Sequence, residues 1–114
     1  MSKLYWEVRD IALWQARMFN ATKRMQLLKT RAEAIEYWNA KSEEEKMEEL
    51  ADVFITLCYL AHVLKDPIAK LFIHILQQSP FWKELDDCVQ RKMQINLGRK
   101  WYKTHTGEWR HVSE

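Results

Sequence analysis

Residues 42–64, SEEEKMEELADVFITLCYLAHVL, decide how this chain folds. Ser42 followed three residues later by Glu45 is a capping box, so a helix starts near Glu43 and runs to about Lys65. It changes character at Asp52. Before that point it is charged, and from Val53 to Leu64 only Thr56, Tyr59 and His62 carry polar side-chain groups. A helix apolar nearly all round is buried on all sides. A domain this small is expected to leave part of such a helix uncovered, so that part is expected to meet another copy of the protein.

Outward from this stretch the sequence reads as helix almost throughout. Two glycines and two prolines in 114 residues are few, and the remaining composition favours helix. A first helix is expected over about Lys3–Phe19, with Leu4, Val8, Ile11, Ala12 and Gln15 along one face. A second is expected over about Lys23–Asn39, capped by Thr22, with Met25, Leu28, Ala32 and Ile35 as its apolar stripe. Asp66-Pro67 starts a short helix near Ile68–Gln78. Ser79-Pro80 precedes a last helix over about Phe81–Leu97, which Gly98 either ends or is carried within. The reading is all-α and a single domain over residues 1–103, followed by a polar, loose tail over 104–114.

Bulk properties narrow the function classes. Net charge is +2, which favours no partner, but the charges are segregated. Eight of the 16 acidic residues lie from Glu33 to Asp52, whereas Val89–Lys103 holds five basic residues and no acid. Cys58 and Cys88 are isolated in apolar helical surroundings and read as reduced core residues. The N-terminus carries acid and base too early for a signal sequence, and the longest nearly apolar run is 12 residues, too short to span a bilayer. A soluble cytoplasmic protein with no membrane role is expected.

Chemistry is concentrated in two acidic pairs, Glu33-x-x-Glu36 and Glu49-x-x-Asp52. Each has helical i, i+3 spacing, so its carboxylates project from one face. Twelve residues separate the pairs, enough for a helix end, a turn and a second helix to bring them together. Four converging carboxylates repel one another unless cations bind, and hard oxygen ligands suit Mg²⁺. Glu49 and Asp52 fall on the line continued by Thr56, Leu60 and Val63, where core residues are expected. In the last helix the inward line of Leu85, Cys88 and Val89 continues into Lys92 and Asn96, and then Arg99 if the helix persists. Polar groups at inward positions cost stability unless paired or ligated. Together they describe a Mg²⁺-bound polyphosphate, with Glu33, Glu36, Glu49 and Asp52 on the metal and Lys92, Asn96 and Arg99 toward phosphate oxygens. Water activated beside the metal, with one of the carboxylates as base, then attacks phosphorus.

These elements resemble a known superfamily, the all-α nucleoside triphosphate pyrophosphohydrolases, which includes MazG-like proteins, dimeric dUTPases and dCTP pyrophosphatases. The stretch Met25–Glu36 resembles its first motif helix, Glu48-Glu-Leu-Ala-Asp-Val-Phe-Ile55 its second, and Lys92-x-x-x-Asn96-x-x-Arg99 its C-terminal segment. The resemblance implies a MazG-like four-helix core, assembly as a homodimer or dimer of dimers, and Mg²⁺ dependence, with Mn²⁺ as a substitute. It implies cleavage of a (deoxy)nucleoside triphosphate between the α and β phosphates, as in nucleotide-pool housecleaning. Two positions depart from the pattern: Ala32 stands where the family often has Glu, and Ile35 where it often has Gly. They motivate an alternative, a non-catalytic helical nucleotide-binding or regulatory protein retaining the fold.

Plainer readings accompany each feature. Acidic i, i+3 pairs are usually solvated faces, and a basic helix end is favoured by the helix dipole. Lys29, one turn before Glu33, reads as an i, i+4 salt-bridge partner. Of the six tryptophans most read as core or interface anchors. Trp14 and Phe19 are the candidates for stacking on a nucleobase, with a core role as the competing reading. Nucleic-acid binding through Val89–Lys103 is disfavoured by the absence of basic excess elsewhere.

Overall fold

The computed structural model describes residues 5–105 and 109–112. Among them are five helices, α1 (Val8–Met18), α2 (Lys23–Asn39), α3 (Glu43–His62), α4 (Pro67–Gln77) and α5 (Trp82–Gly98), and two short strands, β1 (Trp101–Lys103) and β2 (Trp109–His111). The body of the chain is all-α, as expected.

Local chemistry sets most of the boundaries. Thr22 Oγ1 accepts the Met25 N–H at 3.2 Å and starts α2. Ser42 Oγ accepts the Glu45 N–H at 3.0 Å, while Glu45 reaches back to the Lys41 N–H at 2.7 Å. Asp66 Oδ1 accepts from both Ile68 and Ala69 N–H at 2.9 Å, with Pro67 at the first helical position of α4. The chain leaves α1 and α3 through Asn20 and Lys65, both in the left-handed region (φ 44° and 59°). α1 starts at Val8 rather than near Lys3. Trp6 is held outside it by Gln90, whose side-chain oxygen accepts the Trp6 N–H and whose amide donates to the Trp6 carbonyl, both at 2.7 Å. Lys3 and Leu4 lie outside the described residues.

α3 is the axis of the fold. It packs against α1, α2, α4 and α5, and Phe54 to Ala61 are all buried. The burial of Phe54 to Ala61, which led to the expectation of a second copy, is thus achieved within one chain. Four helices each lend one face, and together they cover a helix that is apolar all round. The core joins Ile11 and Ala12 of α1 to Phe54, Cys58 and Leu60 of α3, Ile73 of α4, and Leu85, Val89 and Met93 of α5. Cys58 and Cys88 are free and buried, as expected.

α2 is turned the other way from its apolar pattern. Its inward line is Gln26, Thr30, Glu33 and Tyr37, buried or half-buried, whereas Leu28 and Ile35 of the expected stripe are 49% and 45% exposed and Ala32 is exposed too. The cause lies in the surface it meets. Gln26 Nε2 donates to the Thr56 carbonyl (3.0 Å) and to Gln15 Oε1 (3.2 Å), and Gln15 Nε2 donates to the Ile55 carbonyl (2.7 Å). A hydrogen-bonded polar belt thus joins α1, α2 and α3, and a helix contributing to it must face its polar residues inward.

Within the stretch expected as a loose tail, Trp109–His111 form a strand. β2 pairs antiparallel with β1, Trp101 opposite His111 and Lys103 opposite Trp109. The hairpin is pinned by aromatic contacts: Phe19 lies 4.9 Å from Trp101 and 5.4 Å from Trp109, ring centre to ring centre. Among the described residues no helix is long and apolar enough to cross a membrane.

Candidate metal centre

α2 and α3 run side by side, and the polar belt sets their faces. Glu33 and Glu36 on α2 meet Glu49 on α3, and one carboxylate oxygen from each lies within 4.8 Å of the others. Glu33 and Glu49 are half-buried and Glu36 is exposed. The i, i+3 geometry read from the sequence therefore does bring the two acidic helices together.

Asp52 borders this trio without being one of the three. Its Oδ2 lies 3.0 Å from Lys92 Nζ of α5, and Lys92 also stands 3.8 Å from Glu48. Glu48 in turn holds Arg91 at 2.9 Å. Lys29 lies 3.6 Å from Glu33, the expected i, i+4 pair. Glu48, which opens the second motif stretch, was not among the candidate site residues of the sequence reading, and the structure sets it against Arg91 and Lys92.

The charges are strained toward protonation. Burial, then the charge of Asp52, raises Glu33 to about 7, with Glu36 and Glu49 adding and Lys29 opposing. Burial, then contact with the Glu36 carboxyl and the charge of Asp52, pushes Glu49 up. Burial also raises Asp52, against the hydrogen bond and charge of Lys92. For Lys92 burial works to lower the ammonium, and the Asp52 hydrogen bond with the charges of Asp52, Glu48 and Glu49 outweighs it, so the net shift is upward.

The donor set fits a hard divalent cation. Three carboxylates offer oxygens in one small volume, and Glu49 Oε2 is buried with no hydrogen-bond partner among the described residues. A buried carboxylate oxygen left unpaired is costly, and ligation to a cation removes that cost.

The remaining candidates divide. Lys92 is at the acidic cluster. Asn96, one turn further along α5, is half-buried, and its Oδ1 accepts from Arg99 Nη1 at 3.4 Å. Gly98 ends α5, so Arg99 sits past the helix in extended backbone instead of continuing its inward line. Its charge still lowers the Asp52 carboxyl, which keeps it in electrostatic range of the site. Trp14 is buried and stacks edge-on with Phe19 at 5.4 Å and with Trp101 at 6.2 Å. These rings form the cluster that anchors the hairpin, and Trp101 Nε1 donates to the Asn96 carbonyl at 3.4 Å. The core reading of Trp14 and Phe19 accounts for these contacts. Ala32 and Ile35 lie on the outer face of α2, so the bulk at Ile35 does not press on the acidic cluster.

Comparison of the chain with protein-family models, with curated proteins and with solved structures gives no match.

Proposed function

We propose that this protein is a Mg²⁺-dependent nucleoside triphosphate pyrophosphohydrolase of the MazG-like, all-α kind, working as a homo-oligomer. One observation carries the reading: Glu33, Glu36 and Glu49 converge, and the buried Glu49 Oε2 has no hydrogen-bond partner among the described residues, near a half-buried lysine. Glu33, Glu36 and Glu49 would hold the cation, with Asp52 as a bordering charge. When bound, Mg²⁺ neutralises phosphate charge and makes a nearby water a better nucleophile. Lys92 supplies a fixed positive charge at the edge of the cluster, where a phosphate oxygen can be met, and Asp52 keeps it charged and in place. Asn96 and Arg99, joined by a hydrogen bond, extend that polar edge along the end of α5. One of the four carboxylates would also take a proton from that water.

A panel of nucleoside and deoxynucleoside triphosphates with Mg²⁺ tests this, with the products identified. The expected products are a nucleoside monophosphate and pyrophosphate, and Glu49→Gln removes the activity. Release of orthophosphate, or full activity in Glu49→Gln, contradicts it.

The pairing of Asp52 with Lys92 favours a second reading, a nucleotide-binding regulator that keeps the fold without turnover, because that carboxylate is already neutralised. Saturable binding of a triphosphate without products, in Mg²⁺ and in Mn²⁺, would select it.

A further inference from the structure

The outer side of α4 carries a second unassigned feature. α4 packs on α3 through Ala69, Ile73 and Leu76. Ile68, Leu71, Phe72 and Ile75 are 65%, 57%, 51% and 51% exposed. Their spacing of three, four and seven residues makes one continuous stripe along the helix. A helix with an apolar inner side and an apolar outer stripe lacks a partner for the latter.

We infer that two copies of the chain associate by packing their α4 stripes, Ile68, Leu71, Phe72 and Ile75, against each other about a two-fold axis. Charge decides between the exposed apolar faces. A two-fold interface sets a surface against itself, so it must be self-complementary. The stripe on α4 carries no charge, and Lys70 and His74 fall outside it. The outer face of α2, with Leu28 and Ile35, also carries Arg24 and Arg31, so a two-fold pairing would bring four arginines into one interface. Area agrees. Four side chains of this size leave on the order of 400 Å² exposed per copy. Pairing two stripes with their rims removes roughly 1,000 Å², the lower bound for a specific interface. Regular i, i+3 and i+4 rows also pack helix on helix without rearrangement.

This inference rests on the homo-oligomer part of the proposed function and not on its chemistry. The test is solution mass by light scattering and sedimentation, using wild-type protein, Leu71→Glu, Leu71→Lys and an equimolar mixture of the two variants. The wild type is expected at about twice 13.8 kDa and each variant at 13.8 kDa, with unchanged helical circular dichroism. The mixture is expected to return to the doubled mass, because glutamate on one copy then meets lysine on the other. A wild-type dimer that both variants keep, but that Leu28→Glu or Ile35→Glu dissociates, overturns the α4 interface and leaves the oligomer standing. Monomeric variants whose mixture stays monomeric overturn the two-fold pairing of the stripes. A wild type that stays monomeric at every concentration overturns both, and leaves the stripe to a different partner.

Discussion

Lys92 Nζ of α5 lies 3.0 Å from Asp52 Oδ2 of α3, and this one ion pair separates the four acids into a trio and a flank. Glu33, Glu36 and Glu49 converge on one another, while Asp52 turns its charge to the lysine. The pair is partly buried, with side-chain exposures of 23% for Lys92 and 28% for Asp52. Its strength therefore falls between that of a surface pair and that of a buried one.

Removing the lysine exposes the trio's repulsion. Lys92→Met leaves Asp52 without a cation beside Glu33 and Glu49, and it is expected to cost about 1–3 kcal/mol in metal-free protein. Millimolar Mg²⁺ is expected to recover part of that loss by binding the freed carboxylates. Urea denaturation of both proteins, with chelator and with Mg²⁺, checks this. An equal loss in both conditions would separate Lys92 from the cation site.

The acidic cluster gives metal-free stability an unusual sign with pH. The Glu33 carboxyl is raised to about 7 from its ordinary value of 4.5. Between those values the folded chain binds more protons than the unfolded chain. The stability this carboxyl contributes is therefore fully present below about 4.5 and is lost as pH rises through about 7, by at most about 3 kcal/mol. Urea midpoints in chelator are expected to fall from about pH 5 to about pH 8, and Glu33→Gln is expected to flatten the fall. Added Mg²⁺ is expected to reduce the fall as well, since the ionised form is the one it binds. A slope unchanged in Glu33→Gln contradicts the assignment.

The polar belt predicts coupling. Gln26→Leu leaves the buried Gln15 oxygen without its donor and is expected to cost about 1–3 kcal/mol. Adding Gln15→Leu removes that orphan, so the double variant is expected to lose less than the sum of the singles. A double-mutant cycle by chemical denaturation measures the difference, and strict additivity would contradict the belt.

The hairpin is structural rather than ornamental. Trp109→Ala removes the contact with Phe19 and is expected to cost about 1 kcal/mol or more. Denaturation midpoints check it, and a loss near zero would mean that β2 contributes nothing to the fold.

Helix positions were legible in the sequence because capping chemistry is local: Thr22, Ser42 and Asp66 each accept the bonds their types suggest. The meeting of Glu33, Glu36 and Glu49 was legible because spacing fixes which side chains share a face. The facing of α2 was not. Periodicity shows that Leu28, Ala32 and Ile35 line up, but not that the neighbouring surface is polar and that Gln26 satisfies it. The split between Asp52 and the trio was hidden for the same reason, since it depends on where Lys92 of a distant helix arrives. The hairpin escaped notice because strands of three residues carry too few alternations, and their stability comes from Phe19, some 80 residues earlier in the chain.

The most direct test of the cation centre is a titration with Mn²⁺ followed by electron paramagnetic resonance, which counts free and bound ion. Wild-type protein at about pH 8 is predicted to bind Mn²⁺ saturably, with Mg²⁺ competing and Glu49→Gln abolishing the binding. Equal binding by wild type and Glu49→Gln, or none by the wild type, would contradict a centre built on Glu33, Glu36 and Glu49.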